Sequence, residues 1–171
     1  MKQMTKMSKM FLAMWAISFA AGCQTLLINP VGRTVPENKR LALRDSGEWT
    51  GTYQNEDLVL TYIMRRTAGL LNISGRIQFT RRIAENFPVV VYFHLDAILI
   101  DSQGRALTMT GLTSVSNYST EYITPYDPPF TFNARISIPE NAESLAFSYT
   151  GQAYDPTEHG GPTDFWEYPF K

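Results

Sequence analysis

The chain has 171 residues, 15 basic and 16 acidic side chains, 44% hydrophobic residues and one cysteine. That length suits a single domain with one sizeable core. A lone thiol excludes an intramolecular disulfide framework, and the near-zero net charge offers no basic stripe for a nucleic-acid partner.

The first element is a leader. Lys2, Lys6 and Lys9 precede residues 11–21, which are apolar apart from Ser18. A bilayer span takes about 20 apolar residues. This run is too short for that and fits the hydrophobic region of a secretory signal, with small residues before the cut.

Ala20-Ala21-Gly22-Cys23 closes the leader. It resembles the lipobox of bacterial lipoprotein precursors, with Ala20 where that family prefers leucine. The resemblance covers residues 1–24. It implies a diacylglyceryl group on the Cys23 sulfur, cleavage before Cys23, and acylation of the new amino terminus by a fatty acid such as palmitate. It also implies that Gln24, standing where aspartate would retain the protein in the inner membrane, sends it to the cell outer membrane, facing the periplasm. The chemistry is coherent: a thioether needs a thiol nucleophile, and each buried methylene of the lipid adds about 0.8 kcal/mol, so two or three chains hold firmly. The alternative is an ordinary signal peptide that leaves Cys23 as a free thiol. Removing residues 1–22 leaves 149 residues and, with three lysines gone and no acid, a net charge of −4.

Residues 23–46 contain Asn29-Pro30, Gly32, Pro36 and several charges, and read as the lipidated terminus and a flexible linker. Leu41 and Leu43 give weak support for a helix over 37–44. The all-β domain is expected over 47–171.

From Gly47 the apolar period becomes two. Trp49, Gly51 and Tyr53 share one side of a first strand, and Leu58, Leu60, Tyr62 and Met64 one side of a second. Leu71, Ile73, Gly75, Ile77 and Phe79 share one side of a third. The second and third strands make a hairpin turning near Ala68-Gly69. Apolar positions are even on one strand and odd on the other, so paired numbers must sum to an odd value. A loop of two or of four residues satisfies this; a three-residue loop does not. In that register Arg81 and Arg82 come near Glu56 and Asp57, a local charge cluster.

Residues 89–100 form the strongest strand, with Val89, Val91, Phe93, Leu95, Ala97 and Leu99 toward the core. The other face is apolar at both ends and polar at His94 and Asp96, and is expected to be partly covered. After a turn at 101–104, residues 105–113 return with Leu107, Met109 and Gly111. Residues 114–124, rich in Ser, Thr, Asn and Tyr, read as a separate, weaker edge strand. Phe130, Phe132, Ala134, Ile136 and Ile138 mark the next strand, and Leu145, Phe147, Tyr149, Gly151 and Ala153 another. The Gly- and Pro-rich stretch 155–164 is a loop. The aromatic end 165–170 is a last strand presenting Phe165 and Glu167, or Trp166 and Tyr168, to the fold.

Eight or so strands at spacings of about ten residues predict a single-domain antiparallel β-sandwich of immunoglobulin-like, Greek-key type. The alternative is a small lipocalin-like β-barrel, because Gly47-x-Trp49 followed by a meander resembles the start of a lipocalin, whose mouth holds a small apolar ligand.

No nucleophile elbow, phosphate loop or metal-spaced cluster is present. No catalytic, cofactor-binding or metal-binding residue is therefore assigned, and no cofactor is expected. His94 and Asp96 lie on one face, about 7 Å apart by strand geometry, where one could orient the other through a neighbour. His159 sits in a Glu-His-Gly-Gly surface turn. The candidate binding surface comprises Trp49, Tyr53, His94, Asp96, Tyr118 and Tyr122, besides lipidation at Cys23. The expected function is a membrane-tethered envelope lipoprotein with a binding or structural role toward an envelope protein. The alternatives are a lipocalin-like carrier and, third, an enzyme using His94 and Asp96.

Overall fold

The computed structural model describes residues 29–119, 130–156 and 161–171, with the backbone alone over 117–119. Cys23, Gln24, Tyr122 and His159 lie outside the described residues. The chain is all-β: two antiparallel sheets pack face to face and do not close into a barrel.

One sheet has four strands: β2 (Gly47–Gln54), β3 (Leu58–Thr67), β4 (Leu70–Phe79) and β7 (Phe130–Ser137), hydrogen-bonded in that order. The other runs β6 (Ala106–Ser119), β5 (Val89–Asp101), β8 (Ala142–Tyr154); along its far edge β8 pairs both β1 (Leu41–Ala42) and β9 (Thr163–Glu167). A single helical turn, α1 (Arg81–Ala84), carries the chain from β4 to β5. β7 lies beside β4, and β8 beside β5. Each thus pairs with the strand three positions earlier in the chain rather than with the strand that immediately precedes it.

The β3–β4 register follows the parity argument. Thr67 pairs Leu70 and Leu60 pairs Ile77, around the two-residue loop Ala68-Gly69. Both loop residues have positive φ, 46° and 77°. This is the backbone a right-twisted two-residue hairpin needs. The even-numbered side chains of β3 and the odd-numbered ones of β4 meet in the core.

Between the sheets the interior is filled by rings. Phe79 stands edge-on to Phe93 (5.3 Å between centroids), Phe130 (5.7 Å) and Phe165 (5.9 Å), and Tyr53 packs on Phe147 at 5.5 Å. Among the described residues these side chains fill the space between Trp49, Tyr53 and Phe93 in which a lipocalin would hold its ligand. Gly51, Tyr62, Gly75 and Phe132 pair across β2, β3, β4 and β7. A side chain at Gly75 would fall on the Thr61 carbonyl oxygen and the Phe132 ring, so that ring occupies space only glycine vacates.

Three expectations change. First, residues 30–46 are not a free linker. Thr34 bridges to Arg105, Val35 is fully buried, and β1 pairs Leu41 with Leu145 and Ala42 with Ser144. The 37–44 helix reduces to one 3-10 turn, Glu37–Lys39. Second, β5 skips register between Val90 and Tyr92, so Val90 and not Val91 reaches the core. Third, residues 114–119 continue β6 rather than forming a separate strand, and β6 is the sheet edge. A second register shift, opposite Leu95 and Asp96, puts Leu112 in the core and pairs Met109 with Ile98 and Gly111 with Asp96 on the outer face.

The outer face of β5 is covered at one end. Ile98, Ile100, Ala106 and Ala146 pack with Val35 and Phe170, and the Arg33 guanidinium sits 4.7 Å from the centre of the Phe170 ring. The two ends of the described chain therefore close over the same part of the sheet.

Candidate functional site

Two polar groupings stand out. The first is His94 and Asp96 on the outer face of β5. Alternation places both side chains on that face, and His94 Nε2 meets Asp96 Oδ1 directly at 3.0 Å, with no intermediary. Gly111 across the strand leaves room for the imidazole. Burial raises the Asp96 carboxyl above its ordinary range, and the neighbouring imidazole only partly offsets this. The pair has a base and an orienting acid, but among the described residues no third polar side chain hydrogen-bonds to the imidazole. Among the described residues no group of three His, Cys, Asp or Glu side chains could hold a metal ion.

The second grouping lies where the β2–β3 turn meets β9. Its centre is Asn55. The Asn55 Oδ1 accepts the backbone N–H of Asp57 and of Leu58, each at 3.0 Å, an Asx turn that closes the loop. The amide nitrogen of the same side chain donates to the Tyr149 hydroxyl and to Glu167 Oε2, each at 2.7 Å. The Tyr149 hydroxyl in turn donates to Asp57 Oδ2 at 2.7 Å. Arg82 from α1 pairs with Asp57 and stands 3.8 Å from Glu56; Lys39 from the N-terminal segment pairs with Glu167. Five separate stretches of chain thus meet at one point.

The electrostatics fix the protonation states. Burial pushes the Tyr149 hydroxyl far above its ordinary range, and the Asp57 carboxylate adds to the shift. Burial and Glu167 do the same for Tyr53. Both phenols stay protonated donors. Burial also works against the Glu167 carboxylate, but the hydrogen bonds from Lys39, Asn55 and Tyr53 outweigh it and hold its pKa below the usual range. Among the described residues no buried polar side-chain atom lacks a partner.

These groups floor an open depression of about 720 Å³ whose wall includes Trp166. Trp166 pairs with Thr150 on the edge strand β9, with 57% of its surface exposed. A second groove, about 650 Å³, runs over Gly51 and Gly75 between threonines and Arg76.

The sequence-derived candidates do not converge. Trp49 is a core residue, with the Arg44 guanidinium 5.8 Å from its ring centre. Tyr53 packs inward on Phe147 and adds only its hydroxyl to the polar network. His94 and Asp96 meet each other on the opposite side of the five-stranded sheet from Tyr53. Tyr118 lies on β6 opposite Val90, with only its backbone described. The expected Arg82–Asp57 cluster is present. Asn55, Tyr149 and Glu167 were missed, and the one available signal was the Asn-Glu-Asp turn at 55–57 between two clear strands.

Comparison with protein-family models, with curated proteins and with solved structures finds no match to this chain.

Proposed function

We propose that the chain is a lipid-anchored recognition module of the bacterial cell envelope, held at the periplasmic face of the outer membrane by lipid on Cys23. The observation that carries this reading is the leader: three lysines, a short apolar run and Ala20-Ala21-Gly22-Cys23, with that cysteine the only one in the chain. The packing of residues 30–44 adds a distance. Only residues 24–29 separate Cys23 from the buried Pro30, so the domain would sit within about 20 Å of the lipid at 3.3–3.6 Å per residue.

Recognition rather than catalysis or apolar transport is favoured by two features. The space between the sheets is occupied by side chains, and the His94–Asp96 pair lies on a sheet face beside exposed Tyr92. An exposed aromatic beside a polar pair suits contact with another envelope component.

Cell fractionation tests the tether. The wild-type chain should partition with outer membranes and Cys23→Ser with the soluble fraction. A Cys23→Ser chain that still sediments with membranes contradicts the reading.

A further inference from the structure

We propose that the outer face of the five-stranded sheet docks on the lipid–water interface of the bilayer that holds the tether, with Trp166 and Tyr92 seated at headgroup level. The inference rests on the tether at Cys23 for the position of the bilayer, and names the surface this module contacts.

The register fixes the face. Phe93 and Phe165 point into the core, so their neighbours Tyr92, His94 and Trp166 point away from it. His94 pairs Thr150 and Thr150 pairs Trp166, so imidazole and indole share one row, about 10 Å apart across two strand spacings. Tyr92, opposite Gln152, stands one row away, and Met109, opposite Ile98, lies in the other direction. Among the described residues six large hydrophobic side chains are left exposed. Tyr92, Met109 and Trp166 are on this face. Tyr168 lies between Trp166 and Phe170, which packs on it, and Val31 lies in the turn that brings the chain to it. Only Ile63 belongs to the other sheet. Single exposed apolar residues are ordinary; five gathered on one side of a sandwich mark a contact surface.

The tether emerges at the same face. Gly32 and Arg33 bond to Ala106 at one end of this sheet, and Val35 packs on its outer side chains. The lipid on Cys23 is therefore within about 20 Å of this end. The outer face of the four-stranded sheet stands a further sheet spacing away, about 10 Å. It presents Arg65, Arg76 and Arg135 around Ile63.

The chemistry suits headgroups rather than hydrocarbon. Tryptophan and tyrosine join an apolar ring to a polar tip, which seats them at the membrane–water interface. Between Tyr92 and Trp166 lie His94, Thr150 and Gln152, whose polar atoms keep partners among headgroups and water. Asp96 and Asp164 are set against Arg33 and Lys171, so the face has no single sign and its docking does not need anionic lipid. Each buried ring contributes roughly 2 kcal/mol at most, so the patch alone binds marginally, as one acyl chain does. The tether raises the effective concentration to the order of 1 mM. A Cys23→Ser chain therefore stays soluble although its face is intact.

The test uses the mature chain, residues 23–171, with Cys23, its only thiol, coupled to a maleimide lipid in phosphatidylcholine vesicles. That chain has two tryptophans, Trp49 in the core and Trp166 on the face. Coupling should shield Trp166 from acrylamide and expose it to lipids spin-labelled at the headgroup, and Trp166→Phe should remove that signal. Tyr92→Ser should weaken docking about tenfold with an unchanged thermal melt, whereas Ile63→Ser should not weaken it. Added salt should leave the shielding in place. If Trp166 is as open to acrylamide in the coupled chain as in the free one, the proposal is overturned and the face is left to a protein partner. Release by Arg76→Gln would also overturn it, because the opposite face would then be the one on the bilayer. The coupling is chemical, so this result does not depend on whether the cell lipidates Cys23, and its failure is read separately from failure of the fractionation test.

Discussion

The Tyr149 hydroxyl, on β8 of one sheet, donates to Asp57 at the β2–β3 turn of the other, 2.7 Å away and 92 residues apart in sequence. This bond crosses the sandwich at the end where the aromatic core stops. It turns the rim of the core into a polar clasp, with Asn55 and Glu167 on one side and Arg82 on the other.

Tyr149→Phe keeps the ring packing and removes only the hydroxyl. The buried Asp57 then loses a donor and Asn55 an acceptor. The expected loss of stability is about 1–3 kcal/mol. Urea unfolding should show a lower midpoint at an unchanged slope. An unshifted midpoint would mean that the bond is not a net contributor.

Glu167 and Asp96 should pull the acid limb of stability in opposite directions. The Glu167 pKa is lowered by folding, so its contribution is present above the unfolded pKa and is lost as pH falls through the folded value. The Asp96 pKa is raised by folding, so the folded state binds the proton more readily and this carboxyl favours folding increasingly as pH falls through its folded value. Glu167→Gln should therefore flatten the loss of stability at acid pH, and Asp96→Asn should steepen it. Thermal melts from pH 3 to pH 7 separate the two, and parallel shifts in both variants would contradict these assignments.

Ala68 has φ 46° at the first position of the β3–β4 turn. A side chain without a local hydrogen-bonding group pays about 1 kcal/mol there, and asparagine is the preferred residue before glycine in such turns. Ala68→Asn should raise the melting midpoint by a few degrees, corresponding to about 1 kcal/mol. A lower midpoint would contradict the turn geometry.

Gly75→Ala should destabilise by about 3 kcal/mol, because its methyl group would meet the Thr61 carbonyl oxygen and the Phe132 ring. Gly69→Ala meets open space, so its cost should come from positive φ alone and be smaller. Denaturant midpoints of the two variants check the order.

Much of the sandwich was legible where alternation ran unbroken. The odd-sum rule found the Thr67–Leu70 pairing because both strands hold their parity for ten residues. Parity failed where a strand inserts a residue: the shifts at Val91 and Leu112 leave no mark in residue type, since valine and leucine suit either face. The packed segment 30–44 was hidden for a different reason. Its buried side chains, Pro30 and Val35, stand among glycine, a further proline and charges without any period, and the segment is held by long-range pairing with Arg105 and Leu145. The polar clasp was legible only at Arg82 and Asp57, which hairpin register brings together. Lys39 and Glu167 are 128 positions apart, and only the tertiary fold joins them.

The most direct test of the proposed tether is the intact mass of the mature chain extracted from membranes. The account expects a polypeptide that begins at Cys23 and carries a diacylglyceryl group with a further acyl chain on its amino nitrogen. A mature chain with an unmodified Cys23 thiol, or one that begins at another residue, would contradict it.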